Sequence, residues 1–175
     1  MQDPQRQSQA PKLSNVLFER RYLSEREIDL LMEAARQHRW GHRDATAILV
    51  AYQHGLRASE LVALRWDDID LTTGRLRIRR SKGGGAARAH PISGQESLAL
   101  RRLRDEAAPS LQVFARHVFA LHVFASEHGA PFRVTGYERM IARTGAEAGF
   151  GFVVRSHMLR RDLAVERSVE LNTRQ

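Results

Sequence analysis

The 175-residue chain has no cysteine, which excludes disulfide frameworks and thiolate metal sites and leaves its redox compartment open. It has no apolar run near the roughly 18–20 residues that a membrane helix requires. Its polar start, Met1 to Gln9, lacks the apolar stretch of a signal peptide. The expected location is therefore the cytoplasm, with no membrane partner. Lysine is nearly missing too: among 28 basic residues only Lys12 and Lys82 are lysines, so Lys82 stands alone beyond the first dozen positions. The arginine bias itself reads as genome composition.

What is present is a basic chain of core-forming composition. Twenty acidic residues leave a net charge of +8, and hydrophobic residues make up 42% of the sequence. That apolar share is enough for one buried core and too high for a disordered tail. Surplus positive charge favours a polyanion, through phosphate neutralisation and counterion release, and makes nucleic acid the first candidate partner.

Residues 1–20, rich in Gln, Ser, Pro and Arg and without periodicity, are expected to form a flexible arm. Ser24 and Glu27 then form a capping box ahead of Ile28, Leu31, Met32 and Ala35 at helical spacing. A second helix is expected from about Asp44 to a cap at Gly55, and a third over Ala58 to Leu64. After a turn at 71–74, Leu76 and Ile78 alternate with Arg75, Arg77 and Arg79, the period of a half-buried strand. Ser81 to Gly85 reads as a hairpin tip, with a return strand ending at Pro91. Ser93 with Glu96, and Thr135 with Glu138, predict two further capped helices, the second burying Met140 and Ile141. A last helix is expected near Ser156 or His157. The fold class is mainly α with a small antiparallel β-sheet, an α+β arrangement. A Val-Phe-Ala triplet beginning at Val113, Val118 and Val123 recurs every five residues, a period of neither helix nor strand, and reads as a small duplication within a connection. His117 and His122 ride on that repeat as copies and not as metal ligands.

Three elements carry chemistry. In the stretch His54 to Asp70, Gly55 ends one helix and Arg57 begins the next. Arg57 thus projects from a fixed corner, and Glu60 three residues on can hold its guanidinium. A guanidinium presented this way suits bidentate phosphate recognition, although a plain surface Arg–Glu pair has the same spacing. Between Arg75 and Arg88 lie six basic residues and no acidic one: Arg75, Arg77, Arg79, Arg80, Lys82 and Arg88. This is either a solvated basic hairpin or a finger that places the Lys82 ammonium at a phosphate. Its glycines follow the lysine, which excludes a Walker loop. Last, His157 and Arg160 are three positions apart and would share one face of a helix.

Taken in order along the chain, these elements resemble the catalytic domain of the tyrosine recombinases, the phage integrase family. The match is closest to the small fimbrial phase-variation type and to integron integrases. The resemblance runs from Tyr22-Leu23-Ser24 through the Arg57–Glu60 block, the hairpin lysine, Ala89-His90-Pro91-Ile92 and the His157–Arg160 pair. It implies a recombinase catalytic-domain fold over residues 21–160 and site-specific DNA recombination and integration by phosphoryl transfer, with double-stranded DNA as partner. It further implies that Arg57 and Arg160 clamp the scissile phosphate, that Lys82 is the general acid for the leaving oxygen, that His157 is an acid/base group, and that Glu60 orients the arginine. Arginines supply the positive charge, so neither metal nor other cofactor is expected. Arg75, Arg77, Arg79, Arg80 and Arg88 are the expected DNA contacts, and nucleoid association follows.

The sequence departs from the family pattern after Arg160. Family members carry a His or Trp and then a nucleophilic tyrosine some tens of residues further on. Here Arg161 to Gln175 contain neither Tyr nor Trp, and the tyrosines are Tyr22, Tyr52 and Tyr137. The expectation is a C-terminally truncated domain that lacks its last helices, with residues 161–175 an aberrant tail. Such a chain would bind DNA without cleaving it, and its homo-oligomerisation on DNA would be impaired. A DNA-binding accessory or competitor protein, and a non-functional remnant of a mobile-element integrase, are the alternative readings.

Overall fold

The computed structural model describes residues 22–79, 87–114, 121–126 and 130–160. The chain is led into its first helix, α1 (Glu25–Arg36), by the expected capping box. The Ser24 side chain accepts from the Glu27 amide, and the Glu27 carboxylate accepts from the Ser24 amide at 2.9 Å. Ile28, Leu31, Met32 and Ala35 form its buried stripe and pack on α2 (Gly41–His54). α2 is buried on nearly all sides and forms the central rod of the domain. It starts three residues earlier than its sequence pattern suggests, because Gly41 lets it approach the end of α1. A Cβ at position 41 would lie 2.4 Å from the Arg36 carbonyl oxygen. Gly41→Ala is therefore expected to destabilise the domain by about 1–3 kcal/mol, read as a lower denaturant midpoint.

Gly55 ends α2 in the left-handed conformation (φ 58°, ψ 40°), and the chain turns at once into the short α3 (Ala58–Val62). A 3-10 turn at Trp66–Asp68 leads into a three-stranded antiparallel sheet: β1 (Ile69–Asp70), β2 (Arg75–Ile78) and β3 (Arg88–Pro91). In β2, Leu76 and Ile78 face the core while Arg75 and Arg77 face outward, as the alternation requires. β1 is too short to leave a period in the sequence. The hairpin tip with Arg80 and Lys82 lies outside the described residues.

Ser93 and Glu96 cap α4 (Gly94–Phe114) as expected: the Ser93 amide donates to Glu96 Oε2 at 2.9 Å, and the Glu96 amide donates to Ser93 Oγ at 3.2 Å. The capping box expected at Thr135–Glu138 does not form. α5 (Val134–Glu147) begins two residues earlier than that box would allow, with Arg133 and not Thr135 at its N-cap. Glu138 turns instead toward Ser156, whose amide donates to its carboxylate at 3.2 Å. A tertiary acceptor role has displaced the local one. Met140 and Ile141 are buried as predicted.

The third triplet of the repeat is core and not mere connection. Val123 and Phe124 are buried, and the Val123 amide donates to the Leu64 carbonyl at 2.9 Å. Val113 and Phe114 close α4. Residues 115–120, with His117, lie outside the described residues, as do the arm 1–20 and the tail 161–175. The architecture is the mainly helical domain with a small antiparallel sheet that the sequence implies. Among the described residues, no helix is long and apolar enough to cross a membrane.

Candidate phosphate-binding site

The site is built on the corner between α2 and α3. Leu56 is buried and its amide donates to the Ala51 carbonyl at 3.0 Å, so the corner is locked to the end of α2. Arg57 occupies the N-cap of α3 in extended conformation (φ −73°, ψ 155°). Glu60 holds it twice. The Arg57 backbone N–H donates to Oε2 at 2.9 Å, and Nη1 donates to Oε1 at 3.2 Å. The Glu60 side chain is only 2% exposed and that of Arg57 39%, so a buried anchor steers a cation whose remaining N–H groups reach solvent. The pair that the spacing allowed thus forms with its acidic partner inside the fold and its basic partner at the surface.

Arg160 arrives at the same corner from the other end of the chain. Its Nε donates to the Gly55 carbonyl at 3.3 Å. His157 and Arg160 do not share the face of a regular helix, however. Ser156–Leu159 is a single 3-10 turn, and Arg160 leaves it in extended conformation (φ −75°, ψ 117°). Buried Leu159 and the Glu138–Ser156 bonds pin the turn, and the Leu23 amide donates to the Met158 carbonyl at 2.9 Å. His157 lies exposed on this turn. The structure thus brings Arg57, Glu60 and Arg160 together, with His157 one turn before Arg160; Lys82 lies outside the described residues.

The expected DNA contacts divide. Arg75 and Arg77 share the outer face of β2, and Arg77 donates to the Asp67 carbonyl. Arg79 is exposed and lies 3.6 Å from the buried Asp68 carboxylate. Arg88 pairs with Ile78 across the ladder and therefore belongs to the opposite face, away from Arg75 and Arg77. A small cavity of about 220 Å³ separates α3 from β2, and Glu60, Arg65, Asp68 and Arg77 line it.

Sequence reasoning missed the support beneath the corner. His54 Nε2 lies 2.8 Å from Glu96 Oε1, both side chains are buried, and the His90 ring meets the His54 ring edge-on at 5.5 Å. Burial pushes the Glu96 carboxyl up, but hydrogen bonds from His54 and from the Ser93 amide and hydroxyl outweigh it and hold the group below the usual glutamate value. Glu96 therefore caps α4 and clamps the last residue of α2 at once. A glutamate in a capping box signals only the first of these tasks.

With this geometry in place, a profile of the Phage integrase family matches residues 21–167. The chain belongs to the phage integrase family. It is 35% identical to the type 1 fimbriae regulatory protein FimE of Escherichia coli (strain K12) over 144 residues, 82% of this chain and 70% of FimE. Among solved structures it is similar to XerA recombinase, with a TM-score of 0.65 and 29% identity over 86% of this chain. It spans about half (51%) of that XerA chain. Lambda integrase bound to DNA shares the fold, with a TM-score of 0.60 and 20% identity over 79% of this chain. The integrase family thus joins the sequence motifs and the fold in one assignment, that of a tyrosine recombinase catalytic domain.

Proposed function

We propose that this chain binds double-stranded DNA, seating one backbone phosphate between Arg57 and Arg160, and that its 175 residues do not themselves cleave the strand. The observation that carries the reading is that both arginines are anchored at the α2–α3 corner, Arg57 by buried Glu60 and Arg160 by the Gly55 carbonyl. Two planar cations held at one corner of the fold suit a phosphate diester and the extra charge of its transfer. The lambda integrase of the same fold is bound to DNA, which supports DNA as the polyanion. In the family's cleavage step the resemblance gives His157 an acid/base role beside that phosphate and Lys82 the role of proton donor to the leaving oxygen, roles that come into use only where a nucleophile is supplied.

Strand cleavage by this family chemistry also needs a tyrosine that attacks phosphorus. Tyr52 and Tyr137 are buried in the core, and burial, with the Glu138 charge adding to it, pushes the Tyr137 hydroxyl above its ordinary range. Neither can reach a phosphate from the corner's surface. Tyr22 is half-exposed and precedes α1. Without a nucleophile the arginines retain binding but have no covalent step to assist. These 175 residues then hold DNA at recombination sites in the nucleoid without themselves supplying the nucleophile that cuts it. Incubation with a nicked suicide duplex is expected to give retarded complexes and no covalent adduct after denaturation. A denaturation-resistant adduct that disappears in Tyr22→Phe would overturn the non-cleaving reading.

A further inference from the structure

A second concave surface lies at the other end of α2. The helix has 14 residues, so about 20 Å separates its first turn from the Arg57 corner. Here the loop before α2, the first turn of α2 and the flank of α5 enclose a groove of about 530 Å³. Its walls are aromatic and its rim is cationic. Trp40 is 38% exposed, with the Arg39 guanidinium 5.1 Å and the Arg43 guanidinium 5.5 Å from its ring centroid. Arg43 also lies 4.6 Å from the Phe132 ring.

Arg43 is a fixed part of the wall. It donates twice to the buried Asp44 carboxylate, at 2.8 and 2.7 Å, and once to the Ala125 carbonyl at 2.9 Å. The rim cations are different. Arg139 and Arg143 stand one turn apart on α5, both exposed. Arg143 comes no closer than 3.9 Å to Asp44, and Arg39 and Arg139 have no carboxylate partner among the described residues.

We propose that this groove is a docking site for an acidic peptide segment of a protein partner, one that carries an aromatic or large apolar side chain. Three rim guanidinia call for carboxylates, and a half-apolar cleft of side-chain size calls for an anchor. Trp, Phe and Arg together are the residue types that dominate binding at protein interfaces. A duplex backbone is the less suitable occupant, because a convex polyanion makes no use of an apolar floor. The inference stands apart from the phosphate site and does not depend on it.

The test uses the whole chain and a dye-labelled twelve-residue peptide of Asp and Glu with one central Phe, read by fluorescence anisotropy in low salt. A parallel titration uses a labelled duplex. Saturable peptide binding tighter than about 1 mM is expected. Arg139→Gln with Arg143→Gln should weaken it at least about tenfold while duplex affinity changes less than about threefold, and Trp40→Ala should weaken the peptide alone. All three residues are exposed, and thermal melts check that the variants fold. No saturable peptide binding would overturn the proposal. So would equal binding of a peptide with Ser in place of Phe, or a double variant that loses the duplex and keeps the peptide; the last result would make the groove a DNA contact.

Discussion

Glu60→Gln is expected to weaken duplex binding by about tenfold, although it removes a negative charge from a surface that binds a polyanion. Long-range electrostatics alone predicts the opposite sign. The difference lies in what the carboxylate does. Its two oxygens accept separately from the Arg57 backbone N–H and from Nη1. An amide has only one acceptor oxygen, and its NH2 group would face a donor. The guanidinium is then released to solvent and must be ordered again on each binding event, at the entropic cost of a long side chain. In an Arg57→Ala background the same substitution should have no further effect on affinity. A double-mutant cycle by anisotropy or filter binding reads the coupling directly. Equal losses in both backgrounds would mean that Glu60 acts on the fold and not through Arg57.

The largest expected loss of stability follows His54→Ala, about 3–5 kcal/mol, because it strands the Glu96 carboxylate without its buried partner. The pair joins the end of α2 to the start of α4 beneath the Arg57 corner. The pH dependence has a definite sign. Glu96 titrates lower in the folded chain than in the unfolded one. Its contribution is therefore complete above the ordinary glutamate value and is lost as pH falls through the lower, folded one. Denaturant melts from neutral to acid pH should show this loss in the wild type and a flatter profile in Glu96→Gln. An unchanged profile would mean that another carboxylate governs the acid limb.

The parts of the fold legible in the sequence were those written in local chemistry. The Ser24–Glu27 and Ser93–Glu96 boxes, the cap at Gly55 and the alternation of Leu76 and Ile78 with arginines each act within a few residues. Where a residue had both a local and a distant partner, the distant one was invisible. Glu138 has the spacing of a capping box with Thr135 but is held by Ser156, 18 residues away. Glu96 fulfils its local role and also reaches His54. Gly41 starts α2 early because of a contact with α1, which no propensity records. The site followed the same division. The Arg57–Glu60 clamp is local and was readable, whereas the meeting of Arg160 with the Gly55 carbonyl spans 105 residues and came only through the family resemblance. Resemblance did not reveal that Arg160 leaves a 3-10 turn, and so does not stand above His157 on one helical face.

The central claim is that the corner between α2 and α3 grips DNA phosphate. It is tested most directly by titrating a labelled duplex with the wild-type chain and with Arg57→Ala/Arg160→Ala across a salt series from about 50 to 200 mM. Affinity of the wild type should fall linearly on a log–log plot, and the double variant should bind more weakly with a slope shallower by about two, one for each lost phosphate contact. A wild-type affinity that does not fall with salt, or a double variant with an unchanged slope, would contradict the account.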